Sequence, residues 1–513
     1  MTNLNLLEYW HFIDRKMNYI KSNSNVENLF TNDVNIDLLN QDLLCDFLLK
    51  IINKYRTNIE NSNLNFICNV NNIIDNDLRN FFSLIDEGNK KIKPRLVMAL
   101  DPCYYVNKIA NTIQANGFVE TLQVPFGSDI FNKRIHAFIE GDNKGLLLSI
   151  DAKINENLLQ EAIIKVFYIS NSKKRKIHIV IKGIGYVSEK DNNSLNYYEN
   201  LFKDNAAEKN KLNPEKWLKS ALNEALQRAE FKEEILSNED TFFIVCCKVP
   251  KFTPEKKLWL SSRYEKLGIK NPNVIYISAA CASVGFAIKV AKDMLFLDNY
   301  KNSVIIAAEY PNEFEEISMK SLMALGNGEI KPFDKSRTGT ALGYGGGVII
   351  LTKSINPAKN AIEITDVITK IGDPLSPRVD TALIQNILEN ISNISNTDLY
   401  IAHATGTKQG DEAEWNSINN SKFFKKNIPV WANKGYTKHL LYASGIPSIC
   451  SAEFFLKGKD IPKIKGLKEF AFDCNDAFPV LKTTSLTINN VLLGMFGFSG
   501  CNAIVKLSVS GRS

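Results

Sequence analysis

The chain has 513 residues, 44% hydrophobic and 23% charged, the proportions of a soluble globular protein long enough for several domains. Its 62 Lys+Arg against 56 Asp+Glu leave a formal charge of +6, too mild for a protein that coats nucleic acid but compatible with an acidic partner. Nine cysteines, odd in number and without a CxxC pair, argue against a disulfide scaffold or zinc module and for a reducing compartment.

The opening stretch MTNLNLLEYWHFIDRK has no basic segment followed by an apolar one, so no secretory leader is read. Apolar runs such as Val304–Ala308 and Val348–Leu351 fall far short of the ~18 residues a membrane span needs. A soluble, cytoplasmic protein without a membrane span is expected. Residues 1–172 are rich in Asn, Ile, Leu and Lys and poor in Gly. Within Ile36–Tyr55, apolar residues recur at three- and four-residue spacing and predict amphipathic helix. Arg95–Leu100 and Gly145–Ile150 predict short buried strands. No chemical motif stands in this part, which reads as an N-terminal α/β domain of unknown type and function.

The basic run Lys173–Lys176 reads as a solvated linker or strand edge and marks the boundary. Beyond it, over 173–513, glycine density and apolar strand character rise. Strands and helices alternate: HIVIKGIG, a helix over Trp217–Glu233, TFFIVCC, NVIYISAA, a helix to Leu297, SVIIAAEY, GGGVIILT and DLYIAHAT. Such alternation predicts an α/β domain with strands covered on both faces.

Chemistry concentrates in four segments of this second part. In Asn273–Leu295, a β-branched strand runs through Ser278-Ala279-Ala280 into Cys281 and then an amphipathic helix. The small residues permit a sharp turn that presents Cys281 at the helix N-terminus. A free thiol has a pKa of about 8.5, so only a few per cent is thiolate at neutral pH. A helix terminus supplies roughly 0.3–1 kcal/mol, up to ~2, against ~1.4 kcal/mol for a tenfold change in ionisation. A neighbouring base is therefore expected; the competing reading is an inert buried Cys. In Leu399–Glu414, a strand ends at His403 and a polar turn follows with Thr405, Gly406, Thr407, Gly410, Asp411 and Glu414. Strand C-terminal ends are where α/β folds place catalytic groups, though a satisfied structural His fits equally. In Asn433–Gly445, Lys434 and His439 stand five positions apart before a small-residue segment read as helix. A solvated Lys and a capping His would account for them as well. Last come the glycine-rich stretches KPFDKSRTGTALGYGGG and GMFGFSGCN, which let backbone N–H groups approach a reacting centre or simply turn the chain. GYGGG leads into the strand VIIL instead of opening a helix, which disfavours a phosphate-cradling loop.

Together the four segments resemble the β-ketoacyl synthases, the condensing enzymes of the thiolase superfamily, over roughly residues 177–510. SAACAS places Cys281 where that family keeps its acyl-accepting Cys. PFDKSRTGTALGYGGG resembles its PFDxxRDGFxxGEGAG stretch. HATGTKQGDEAE places His403 on the first His of HGTGTxxGDxxE. KGYTKHLLYASG places Lys434 and His439 on the Lys and second His of KSxxGHxxGAAG, and GFSGCN places Phe498 on the Phe of GFGGTN. The resemblance implies the five-layered αβαβα thiolase-like fold for the C-terminal two-thirds. It implies acyl transfer from a carrier thioester to Cys281, then decarboxylative condensation with a malonyl-type extender in fatty acid or polyketide biosynthesis. His403 and His439 would stabilise the enolate, and Lys434 would orient them. The backbone N–H groups of Cys281 and Phe498 would form the oxyanion hole. Phe496, Phe498, Thr405 and Thr407 would bind or gate substrate. It further implies no metal or bound cofactor, phosphopantetheine-linked acyl substrates on an acyl carrier protein or CoA, and a homodimer.

Several positions depart from the family pattern. Ala404, Lys408, Lys438 and Tyr344 stand for Gly, Pro, Gly and an acidic residue. Ser448, after Pro447, stands for the Glu that supports the motif Lys, and Ser499-Gly500-Cys501 for GGT. The interval from Gly183 to Cys281 is short for an elongating member. Part of the usual cap or dimer surface is thus missing or replaced, with residues 1–172 the candidate replacement. Three other readings stay open. One is a thiolase-like reaction using Cys501 as base. Another is an acyltransferase that passes the Cys281-bound group to an amine or alcohol without decarboxylation. The third, a non-enzymatic partner subunit, is disfavoured by the nucleophile itself.

Overall fold

The computed structural model describes residues 5–13, 16–20, 48–50, 52–53, 64–70, 83, 102–140, 143–155, 158–169, 177–188, 214–247, 267–270, 273–297, 299–309, 313–373, 379–421, 424 and 427–511. The helix expected within Ile36–Tyr55 is described only at 48–50 and 52–53. The strand expected at Arg95–Leu100 and the basic run Lys173–Lys176 lie outside the described residues.

From residue 177 onward the chain builds two half-folds of the same plan. The first orders its strands Val274–Ile277, Thr241–Cys246, Asn302–Glu309, Gly345–Ser354 and His178–Ser188. The first two joints are parallel and the last two antiparallel. The second orders Ile428–Ala432, Leu399–Ala402, Asn490–Phe496, Cys501–Val509 and Ile362–Ile371 with the same senses. Ala477–Pro479 adds a parallel edge strand to it. The central strands are buried on both faces: Phe242, Phe243, Ile244 and Val245 are all inaccessible to solvent. That is why they read as unbroken apolar runs rather than alternating ones.

Two helices, Ser283–Met294 and Gly445–Leu456, form the middle layer, each touching strands of both half-folds and the other helix. Glycine makes this close packing possible. A Cβ on Gly445 would lie 2.5 Å from Val284 Cβ, and one on Gly285 would lie 2.5 Å from Ala503 Cβ. Pro447 falls in the first turn of its helix, where a missing N–H breaks no helical hydrogen bond. Helix Pro214–Ala229 covers the outer face of the first sheet, and Thr381–Glu389 with Lys408–Asn419 covers the second. The result is the five-layered αβαβα arrangement expected.

Boundaries shift where terminal geometry decides. The helix read as Trp217–Glu233 begins at Pro214 and ends before Glu230, whose φ of +58° breaks the helix. The small-residue helix read at Leu440–Gly445 is a 3₁₀ turn over Leu441–Ala443, and the α-helix starts at Gly445. The glycines of GYGGG serve strand packing: a Cβ on Gly346 would meet Ala308 at 2.3 Å, and one on Gly347 would meet the Gly185 carbonyl at 2.3 Å. Among the described residues, no helix is long and apolar enough to cross a membrane.

Ahead of these half-folds, strands Asn5–Ile13, Leu64–Val70, Val119–Leu122, Gly145–Asn155 and Leu158–Ile169 extend the pairing, with helices Pro102–Thr112 and Asp129–Glu140. Leu122 pairs antiparallel with Ile277, and one apolar cluster runs from Leu122 and Phe138 into Ile277 and Phe286.

Candidate active site

Strand Val274–Ile277 runs through Ser278 and Ala279 into a 3₁₀ turn, Ala280–Ala282, and directly on into helix Ser283–Met294. Ala280 takes φ +47°, a left-handed conformation that costs a non-glycine residue roughly 1–2 kcal/mol. Ser283 holds it there: its Oγ donates to the Ala280 carbonyl at 2.7 Å and accepts from the Ala279 N–H at 2.9 Å. The turn sets Cys281, 4% exposed, at the head of the central helix.

His439 reaches Cys281 from the second half-fold, with Nε2 3.1 Å from Sγ. Its Nδ1 is 2.9 Å from Ser444 Oγ. The backbone on either side is clamped: His439 N–H donates to the Ala341 carbonyl at 2.9 Å, and the His439 carbonyl accepts from Gly343 N–H at 3.1 Å. To enter this clamp Lys438 takes φ +57° and ψ −170°, next to a region essentially reserved for glycine. The family pattern has glycine here, and the geometry shows why.

His403 follows strand Leu399–Ala402. Its N–H and that of Ala404 donate to the two carboxylate oxygens of Glu414, each at 2.8 Å, and Tyr400 Oη donates to the same carboxylate at 3.0 Å. One buried carboxylate from helix Lys408–Asn419 thus fixes the turn after the strand. The rings of His403 and His439 stand 5.6 Å apart and nearly perpendicular, and Phe496 lies 5.8 Å from His403.

Lys434 is buried behind His403. Its Nζ lies 3.3 Å from His403 Nδ1 and donates to the His403 carbonyl. Burial pulls the Lys434 ammonium down to about 8, opposed by the negative charge of Glu414, Cys281 and Asp411. Burial, then the Lys434 charge, holds both imidazoles well below the usual histidine range. Both are therefore neutral at pH 7. An ammonium only donates, so Lys434 fixes Nδ1 of His403 as an acceptor and leaves the proton on Nε2. Asp411 links this turn to the neighbouring loop, accepting from Phe333 N–H at 2.8 Å and Gly406 N–H at 2.9 Å. Burial pushes its carboxyl up to about 7.

These groups open onto one cavity of about 390 Å³, lined by Cys281, His403, His439, Thr405, Thr407, Phe496, Gly497 and Phe498 and walled by Met319 and Leu322. A Cβ on Gly497 would lie 3.0 Å from Cys281 N, so the backbone leading into Phe498 abuts the Cys281 turn. Cys281, His403, His439, Thr405, Thr407, Phe496 and Phe498, all singled out by sequence, are gathered here, and Lys434 stands one layer behind. Cys501 is not among the cavity-lining residues. Its Sγ accepts from Asn107 Nδ2 at 3.2 Å and lies 3.5 Å from Cys103 Sγ, which removes it as a base facing Cys281. Ser448, in place of the family Glu, accepts from Asn433 Nδ2 at 3.1 Å, while Lys434 takes its negative field from Glu414 and Asp411. Glu414 and Ser444 are the candidate-site residues that sequence reading passed over as agents. The Asp411/Glu414 spacing of the polar turn was the available signal for the first. For the second, the signal was a hydroxyl five residues beyond His439.

Residues 369–468 match the family described as Beta-ketoacyl synthase, C-terminal domain. The 3-oxoacyl-[acyl-carrier-protein] synthase 1 of Buchnera aphidicola is 28% identical over 250 residues, 45% of this chain and 60% of that protein. The 3-oxoacyl-[acyl-carrier-protein] synthase 2 of Mycobacterium bovis is 28% identical over 267 residues, 47% of this chain and 61% of that protein. The chain thus spans about 60% of the length of these curated relatives. Among solved structures, the ishigamide ketosynthase/chain length factor aligns over 66% of this chain and 100% of its own, with TM-score 0.54 and 18% identity. A β-ketoacyl synthase from Burkholderia phymatum aligns over 65% of this chain and 99% of its own, with TM-score 0.54 and 17% identity. The fold of the C-terminal two-thirds is the thiolase fold. Residues 369–468 thus match the C-terminal domain of the β-ketoacyl synthases, and the chain is similar to curated members of that family over about half its length.

Proposed function

We propose that the chain is a condensing acyltransferase that loads an acyl group on Cys281 and condenses it with a malonyl-type extender. The convergence of Cys281 with two neutral imidazoles on one cavity carries this reading. In the loading step the Cys281 thiol proton passes to His439 Nε2, and sulfur attacks the thioester carbonyl of a phosphopantetheine arm on a carrier protein or CoA. The tetrahedral oxyanion sits against the Cys281 and Phe498 N–H groups, and the carrier thiol leaves with the proton. In the second step the extender's C–C bond breaks to release CO₂. The resulting enolate oxygen takes hydrogen bonds from His403 Nε2–H and His439 Nε2–H, and the carbanion attacks acyl-Cys281. The C–S bond then breaks and returns the Cys281 thiolate.

Ser444 suits His439 to both steps. Its hydroxyl accepts from Nδ1–H while Nε2 takes a proton, and donates to Nδ1 while Nε2–H donates. Lys434 holds His403 in the donating tautomer. Preorganised donors aimed at a developing oxyanion are each worth about 10²–10³ in rate. Phe496, Thr405 and Thr407, with Lys408 at the mouth, suit the pantetheine arm. An acidic carrier suits the net charge of +6, and one similar structure is a type II acyl-carrier protein in complex with its ketosynthase.

The test is malonyl-carrier decarboxylation, wild type against His403→Ala and His439→Ala. A fall of about 10²-fold or more in each variant is expected. Carbon dioxide release that ignores both changes would favour the acyl-transfer reading without decarboxylation.

A further inference from the structure

The strands of residues 5–169 repeat the first half-fold joint by joint. Val119–Leu122, Leu64–Val70, Gly145–Asn155, Leu158–Ile169 and Asn5–Ile13 follow one another with two parallel joints and then two antiparallel ones. Register agrees as well. Leu64 faces Leu146 and Phe66 faces Val119 in this unit, as Thr241 faces Asn302 and Phe243 faces Val274 in the next. Both units carry a one-residue bulge on the same rung. Leu6 and Glu8 oppose Phe167 and Val166, and Ile181 and Gly183 oppose Leu351 and Ile350. The final half-fold repeats it, with Ile364 and Asp366 opposing Leu507 and Lys506. A bulge kept on one rung in three units is a retained feature, not chance pairing. The chain therefore holds three copies of one half-fold.

In the first copy Leu122 matches Ile277 and helix Asp129–Glu140 matches Ser283–Met294. Phe126 then stands where Cys281 stands, so this copy carries no thiol at its turn. The two matching edges meet. Leu122 pairs antiparallel with Ile277, and Gln123 N–H donates to the Tyr276 carbonyl at 3.3 Å. The two matching helices close over a charge network whose Arg134, Glu120 and Asp293 are buried. Arg134 donates to Glu120 at 3.0 and 3.1 Å and to Asp293 at 3.0 Å, and Lys289 donates to Asp293 at 2.7 Å. Phe118 packs 6.4 Å from Phe286. Like strands paired antiparallel, with like helices beside them, form the pattern of an isologous two-fold interface written into one chain.

We propose that residues 5–169 are a catalytically silent internal copy of the half-fold. It occupies in cis the strand edge and helix face beside the nucleophile turn, where a second copy of the chain would otherwise dock. An open edge at Val274–Ile277 would be a template for pairing with other chains, and it leads straight into Cys281. The silent copy closes that edge. It also props the site: Asn107 holds Cys501 beside the Phe498 turn, and Tyr104 packs on Leu322 of the cavity wall. The homodimer implied by the family resemblance is then not required to complete the site.

The test uses the full chain and no substrate. Amide hydrogen exchange and sedimentation are compared at about 10 µM and about 0.1 µM. A 57.8 kDa species at the lower concentration, with exchange at Gln123, whose N–H donates across the joint, as slow as at the higher one, is the expected result. A dimer that separates on dilution without speeding exchange at this amide also supports closure in cis. Exchange at Gln123 that accelerates as a dimer separates overturns the proposal, because a second copy then supplies the pairing.

Discussion

Lys434 shows how much one buried charge decides in this site. Burial brings it down to about 8 from an ordinary value near 10.4. Between those values the unfolded chain binds more protons than the folded one, so the Lys434 contribution to stability rises with pH across that window. Its effect on chemistry has the opposite sense. In the proposed condensation, the ammonium below about pH 8 lends positive charge to His403 and the developing enolate; above it that charge is lost. Malonyl decarboxylation is expected to fall as pH rises through about 8 in the wild type, and Lys434→Met should lack this descending limb at a lower plateau rate. A limb of unchanged midpoint in the variant would assign it to another group. Cys281, His403 and His439 were legible because each lies in a short motif whose order and spacing survive in sequence. Glu414 and Ser444 were not legible as agents. What they do depends on which backbone N–H or ring nitrogen the fold brings to them.

Two tight turns bring Cys281 and His439 together. Ala280 and Lys438 both carry positive φ, and each turn is held by local clamps, Ser283 in one and the Ala341/Gly343 pair in the other. Lys438 stores strain of order 1–3 kcal/mol that a glycine would not. Lys438→Gly is therefore expected to raise the unfolding free energy by about 1 kcal/mol or more, read as an upward shift in the denaturation midpoint. An unchanged or lowered midpoint would mean that side-chain contacts of Lys438 outweigh its backbone strain. The sequence showed the Gly→Lys departure but not its cost, since backbone dihedrals are not written in residue types. Helices and strands were legible from periodicity. Their ends were less so, because Glu230 and the 3₁₀ turn before Gly445 depend on terminal geometry.

At the scale of the molecule, the N-terminal third reads as a domain without a motif, and its sequence alone gave no sign of repetition. The repeat lies in strand order, register and a shared bulge, which are properties of pairing rather than of residue identity. The buried Arg134–Glu120–Asp293 network, with Lys289 as its second cation, ties this third to the helix that follows Cys281. Breaking such a network by removing one partner costs about 3–5 kcal/mol. Arg134→Ala is expected to lose that much in equilibrium denaturation, with one cooperative transition, because one apolar core spans the copies. Loss confined to a separate early transition of residues 5–169 would show that the copies fold independently.

The central claim is that Cys281 carries the acyl group. Intact-protein mass spectrometry after incubation with an acyl-carrier thioester tests it most directly. The account predicts a single acyl mass per chain in the wild type, retained in His403→Ala and absent in Cys281→Ala. No adduct on the wild type, or an adduct that survives Cys281→Ala, would contradict it.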